Sequence, residues 1–150
     1  MRTASSLLGC LILIGAVGCG QPRTPQDLSG LAGWRGAAPN SPETFRFIII
    51  SDRTGGHEQG AWERAIVEVN RLKPDFVVCV GDLVEGYKDD EAVLRGMWDE
   101  IETLNSRLDA PFFYCCGNHD VEGESSRKVY TQRHGVRGRT YYSFNYRSCH

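Results

Sequence analysis

The chain has 150 residues, with 17 Lys or Arg against 19 Asp or Glu and a formal net charge of −2 at pH 7. That length suits one domain, and the charge balance excludes a protein that holds nucleic acid by charge alone. Its basic residues are uneven, with six Lys or Arg against two acids from Glu122 onward; a solvated helix face explains this more simply than a phosphate-attracting end.

Residues 1–18 begin with a minimal positive region, Arg2, and continue into an apolar stretch from Leu7 to Val17 that is too short to span a bilayer. The following Ala16-Val17-Gly18-Cys19 resembles a bacterial lipoprotein cleavage box, with Ala16 where leucine is usual. The resemblance implies export to the cell envelope, lipidation of Cys19 and a domain anchored to a membrane surface. Cys10 has almost no apolar segment ahead of it and is rejected as the lipidated residue. The competing readings are an uncleaved membrane anchor and a misassigned start codon. Residues 19–44 hold four of the six prolines and read as an irregular tether, in which Trp34 is placed to dock on the domain.

From residue 45 to 150 a repeating order appears. Phe45–Ser51 (FRFIIIS), Phe76–Gly81 (FVVCVG) and Pro111–Gly117 (PFFYCCG) are short apolar runs rich in β-branched and aromatic residues, the pattern of strands buried on both faces. Between the first two, Trp62, Ala65, Ile66, Val69 and Leu72 recur at helical spacing and stop at Lys73-Pro74. Between the second and third, Val93, Leu94, Met97, Trp98, Ile101, Leu104 and Leu108 do the same. A weaker helix is expected around 125–134, and the alternation of Tyr142, Phe144 and Tyr146 with Tyr141, Ser143 and Asn145 predicts a fourth strand. The order strand, helix, strand, helix, strand predicts an α/β fold with right-handed βαβ units and a parallel sheet.

Cys79, Cys115 and Cys116 lie in or beside apolar runs and read as small core residues. The absence of C-x-x-C excludes a zinc ribbon or a redox motif. Adjacent cysteines bond to one another only with strain, whereas a pairing of Cys79 stays open for an exported protein.

In parallel α/β sheets ligands bind beyond the carboxyl ends of the strands. The three core strands end in Ser51–His57 (SDRTGGH), Gly81–Tyr87 (GDLVEGY) and Gly117–Gly123 (GNHDVEG). Asp52 and Asp82 are 30 residues apart, and Asp82 and Asn118 are 36 apart. Each interval fits one βα unit, so topology brings Asp52, Asp82, Asn118, His119 and Asp120 to one sheet edge. One such Asp alone is explained equally well as a helix N-cap. Carboxylates crowded together repel unless cations neutralise them, which favours divalent metals bound by oxygen donors.

GDLVEG and GNHD (from Gly81 and Gly117), below an Asp-bearing turn, resemble the calcineurin-like metallophosphoesterases over about residues 45–146. The resemblance implies the N-terminal half of a β-sandwich flanked by helices, with parallel βαβ core strands and a centre of two divalent metal ions (Mn, Fe, Zn or similar). It implies Asp52 on the first metal, Asp82 bridging both and Asn118 on the second through its amide oxygen. His119 would contact the phosphate and protonate the leaving oxygen, oriented by Glu85 or Asp120, with Glu85 preferred because some relatives carry an acid there. The implied reaction is direct hydrolysis of a phosphoester substrate by an activated water; no nucleophile motif such as G-x-S-x-G occurs.

Two departures stand out. The usual His two residues after the first Asp is Thr54, a poorer ligand for a transition metal. His57 is an alternative donor, although Gly55-Gly56 equally suggests a loose loop, and Arg53 is left to hold a phosphate oxygen or to point into solvent. The family also takes histidines from downstream turns, including a G-H-x-H, and nothing after His134 resembles one. The expectation is therefore the N-terminal part of a longer enzyme, against an inactive fragment or non-catalytic phosphate-binding domain that keeps the fold. A redox or nucleotide-binding domain is disfavoured by the lack of a Gly-rich phosphate loop.

Overall fold

The computed structural model describes residues 13–18, 44–147 and 149–150. The expected cleavage point at Cys19, the tether and Trp34 lie outside the described residues. The sheet has four strands in the order β1 (Leu13–Gly18), β2 (Thr44–Ile50), β3 (Phe76–Cys79) and β4 (Phe112–Tyr114). β2, β3 and β4 are parallel, in a register that sets Ile50 level with Cys79 and Cys79 level with Tyr114. β1 runs antiparallel to β2, from Leu13 opposite Ile49 to Gly18 opposite Thr44. It lies within the stretch read as an export signal, so cleavage before Cys19 would leave the parallel strands with β2 at the edge.

The helices are α1 (Ala61–Leu72), α2 (Glu91–Asn105), a single turn α3 (Asn118–Val121) and α4 (Glu124–His134). The apolar stripe of α1 buries Trp62, Ala65, Ile66 and Val69; Lys73 then turns left-handed at φ 49° and Pro74 ends the helix. In α2 the Asp90 carboxylate caps the helix by accepting from the Ala92 and Val93 N–H groups at 2.8 and 3.4 Å. Leu94, Trp98, Ile101 and Leu104 of α2 are buried, but Val93 is not: it sits beside the cap, where its side chain turns from the sheet. Leu108 is buried beyond the helix end, because the chain leaves α2 at Asn105 in a tight turn.

These helices pack with Ile48, Ile50, Val77, Cys79 and Tyr114 into the main core on one sheet face. A fully buried side chain such as Ile101 contributes about 1.5–3 kcal/mol. Inside this core Trp62 donates its Nε1–H to Asn105 Oδ1 at 2.8 Å, which satisfies both groups away from water.

The other face carries an aromatic cluster of Phe45, Phe76, Phe113 and Tyr146. The expected fourth strand is not formed. Tyr142, Phe144 and Tyr146 do turn inward, but Phe144 stacks on Phe113 (4.6 Å between centroids) and meets Phe76 edge-on, so the segment lies across the face of the sheet. On the open edge of β4 the Tyr114 carbonyl is taken by the hydroxyls of Tyr130 (3.2 Å) and Tyr142 (3.0 Å), which leaves no regular ladder to extend. Alternation predicts which side chains face inward; it does not supply a strand partner. Cys79, Cys115 and Cys116 are free thiols.

Candidate metal centre

The level ends of the parallel strands launch three turns that tie to one another through the backbone. Asp52 N–H donates to the Gly81 carbonyl (3.1 Å), and Thr54 N–H donates to the Asp82 carbonyl (3.1 Å). Asp52 and Asp82 both sit at φ 58°, a left-handed conformation that costs a non-glycine residue on the order of 1 kcal/mol and that clusters at functional sites. The second and third turns are in closer contact still. A Cβ on Gly81 would lie 2.1 Å from Gly117 N, and one on Gly117 would lie 2.2 Å from Asp82 Oδ1. Only glycine at both positions lets the bridging candidate Asp82 approach the backbone of the third turn.

Asp120 is fully buried and holds this junction together. Its Oδ2 accepts from Asp82 N (2.8 Å) and Gly117 N (2.8 Å), and its Oδ1 from Leu83 N (2.9 Å) and Val84 N (3.1 Å). Burial pushes its carboxyl up, opposed by those four N–H groups. Both oxygens are thus committed to backbone donors. As partner for His119 the geometry selects Glu85, whose Oε1 lies 2.9 Å from His119 Nδ1, and Asp120 is instead the brace beneath the site.

The remaining donors face outward. Asp82 Oδ1 accepts from the His119 backbone N–H at 2.9 Å, and its Oδ2 has no partner among the described residues. Asp52 Oδ2 accepts from the Ser51 hydroxyl. Asn118 gives its Nδ2–H to the Tyr87 hydroxyl at 3.1 Å, and its amide oxygen has no partner among the described residues. His119 Nε2 faces the first turn, 4.0 Å from where a Cβ on Gly55 would sit. Two carboxylates and an amide oxygen suit a hard divalent cation. They fill only part of two coordination shells, and among the described residues no three His, Cys, Asp or Glu side chains are grouped to hold an ion.

The neighbours of Asp52 are placed less favourably. The Thr54 hydroxyl donates to the Asp82 carbonyl at 3.2 Å and so serves the turn-to-turn tie. Arg53 neither points into solvent nor lies free for phosphate: its guanidinium pairs with Glu100 and reaches the Leu83 carbonyl at 3.4 Å. His57 is exposed and shares with Asp52 and Glu58 a shallow cleft of about 60 Å³. Tyr87 received no role from the sequence, yet its ring stands nearly perpendicular to the His119 imidazole, 4.8 Å between centroids. Its place after the second Asp turn was the only available signal.

A sequence model of the family described as Calcineurin-like phosphoesterase matches residues 45–149. No curated protein and no solved structure matches the chain.

Proposed function

The chain belongs to the calcineurin-like phosphoesterases, a family of metal-dependent hydrolases, and from that premise we propose that its three turns carry the phosphoester-cleaving side of a two-metal site. In this reading Asp52 would hold the first metal, Asp82 would serve both, and Asn118 would offer its amide oxygen to the second. Three side chains are too few to complete two coordination shells, so further donors would be needed. The metals, when bound, neutralise charge on the phosphoryl oxygens and acidify the attacking water.

The chain's own residues do the rest. His119 Nδ1–H is held by Glu85 at 2.9 Å, which fixes the ring so that Nε2 faces the first turn. With a proton on each ring nitrogen, Nε2 delivers one to the leaving oxygen while Nδ1 keeps its bond to Glu85. Asp120 acts indirectly, by holding the two turns that present Asp82 and His119. The His119–Glu85 pair, with the His119 backbone N–H bonded to Asp82 Oδ1, is the observation that carries this reading.

Turnover of a chromogenic phosphodiester or monoester with added Mn²⁺ tests it. Asp82→Asn and His119→Ala should each abolish the reaction, and unchanged rates in both would refute the assignment. Thr54 favours a second reading, a domain that keeps the fold without hydrolysis, because its hydroxyl is committed to the Asp82 carbonyl. For location we propose export and lipid anchoring through Cys19, with residues 1–18 removed and 19–44 as tether; the apolar run and the Ala16–Cys19 box support this.

A further inference from the structure

Tyr87 is nearly half exposed, at 47 %. A tyrosine in that position gains little from burial, and water would satisfy its hydroxyl at no cost. It is nonetheless engaged twice with the third turn: the hydroxyl accepts from Asn118 Nδ2 at 3.1 Å, and the ring stands at 84° to the His119 imidazole, 4.8 Å between centroids. Its placement is built into the backbone. The preceding Gly86 packs so closely on the third turn that a Cβ there would fall 1.9 Å from the His119 carbonyl oxygen. The Gly86 N–H also closes a short turn onto the Val84 carbonyl at 3.1 Å.

An exposed asparagine amide rotates between two nearly equivalent orientations, one presenting oxygen and the other nitrogen. Only the oxygen can bind a cation. A hydroxyl can donate to the oxygen or accept from the nitrogen; here it accepts from Nδ2, the arrangement that a cation on the oxygen requires, and so it anchors the amide in that orientation.

We infer that Tyr87 is a positioning residue for this site: its hydroxyl, by accepting from Nδ2, holds the Asn118 amide with the oxygen presented to the metal, and its ring supports the His119 imidazole edge-on. The inference rests on the metal-site reading above. It assigns the tyrosine an effect on metal affinity through the hydroxyl and an effect on turnover through the ring.

Calorimetric titration of the metal-free protein with MnCl₂ separates the two, using wild type, Tyr87→Phe, Tyr87→Ala and Asn118→Ala. Removing the hydroxyl in Tyr87→Phe should weaken Mn²⁺ binding about tenfold, the lower end of what outer ligand-orienting groups contribute. Asn118→Ala should weaken it at least as much. At saturating Mn²⁺, Tyr87→Ala should have a lower kcat than Tyr87→Phe, because only the alanine variant loses the ring beside His119. The melting temperature of metal-free Tyr87→Phe should match wild type. Wild-type Mn²⁺ affinity in Tyr87→Phe beside weakened binding in Asn118→Ala would overturn the role of Tyr87 alone. Wild-type affinity in both variants, or a wild type that takes up no Mn²⁺, would overturn it together with the metal-site reading. A lowered metal-free melting temperature in Tyr87→Phe would move the tyrosine into folding and overturn it as well.

Discussion

Replacing Asp120 by Asn keeps the shape of the side chain and removes its charge, so it isolates what the buried carboxylate does. Whichever way the amide points, one carboxylate oxygen becomes an NH₂ group facing two backbone N–H donors. Two charge-assisted hydrogen bonds are lost, each about 1.5–3 kcal/mol, and two buried donors are left without acceptors. Part of this is returned, because burial already disfavours the charged form and the amide is cheaper to desolvate. The net destabilisation should be about 2–4 kcal/mol, within the range for breaking a buried network. Urea unfolding followed by the fluorescence of the buried Trp62 and Trp98 measures it, as a lower midpoint with unchanged slope. Turnover should fall with it, since the same bonds hold the turns of Asp82 and His119. A variant within about 0.5 kcal/mol of wild type would show that the turns hold themselves and that Asp120 is not their brace.

Gly117→Ala would place a methyl 2.2 Å from Asp82 Oδ1; displacement of that carboxylate should cut Mn²⁺-dependent kcat by roughly 100-fold, and near-wild-type kcat would contradict the close approach. His134, buried against Trp98 and stacked on Tyr114, has its pKa lowered to about 3, by burial first and by Arg133 second. The unfolded chain takes up a proton near pH 6.5 and the folded chain does not, so stability is full above that pH and falls as pH drops toward 3. Between pH 7 and 5 the loss from this group should reach about 2 kcal/mol at most, reduced because Glu102 Oε1 lies 3.2 Å from Nε2. Urea midpoints should show this loss in wild type and not in His134→Phe. Finally, metabolic labelling with a fatty acid should mark the wild-type chain and not Cys19→Ser; label that survives the substitution would remove Cys19 as the anchor.

Most of the fold was legible because its elements announce themselves locally. The apolar stripe of α1 and the stop at Lys73-Pro74 predict that helix, and the short β-branched runs predict β2, β3 and β4. In the segment after α4, alternation reports a buried face without its neighbour. At Val93, periodicity cannot tell the cap of a helix from its body.

Sequence alone determined the parallel order and therefore which turns share an edge, since βα spacing and strand handedness leave few other arrangements. It also determined the chemical types gathered there. Tertiary structure decided what each of those groups does. Asp120 and Glu85 both stand as partners for His119 on paper, with only a resemblance favouring Glu85, and packing shows one carboxylate sealed among four backbone N–H groups and the other 2.9 Å from the imidazole. Thr54 and Arg53 look like site residues by position, and their hydrogen bonds turn them to joining the turns. Tyr87 had no local mark beyond its place after the second Asp turn, because its partners Asn118 and His119 lie 31 and 32 residues away and meet it only when two turns are pressed together by glycines that leave no room for a side chain.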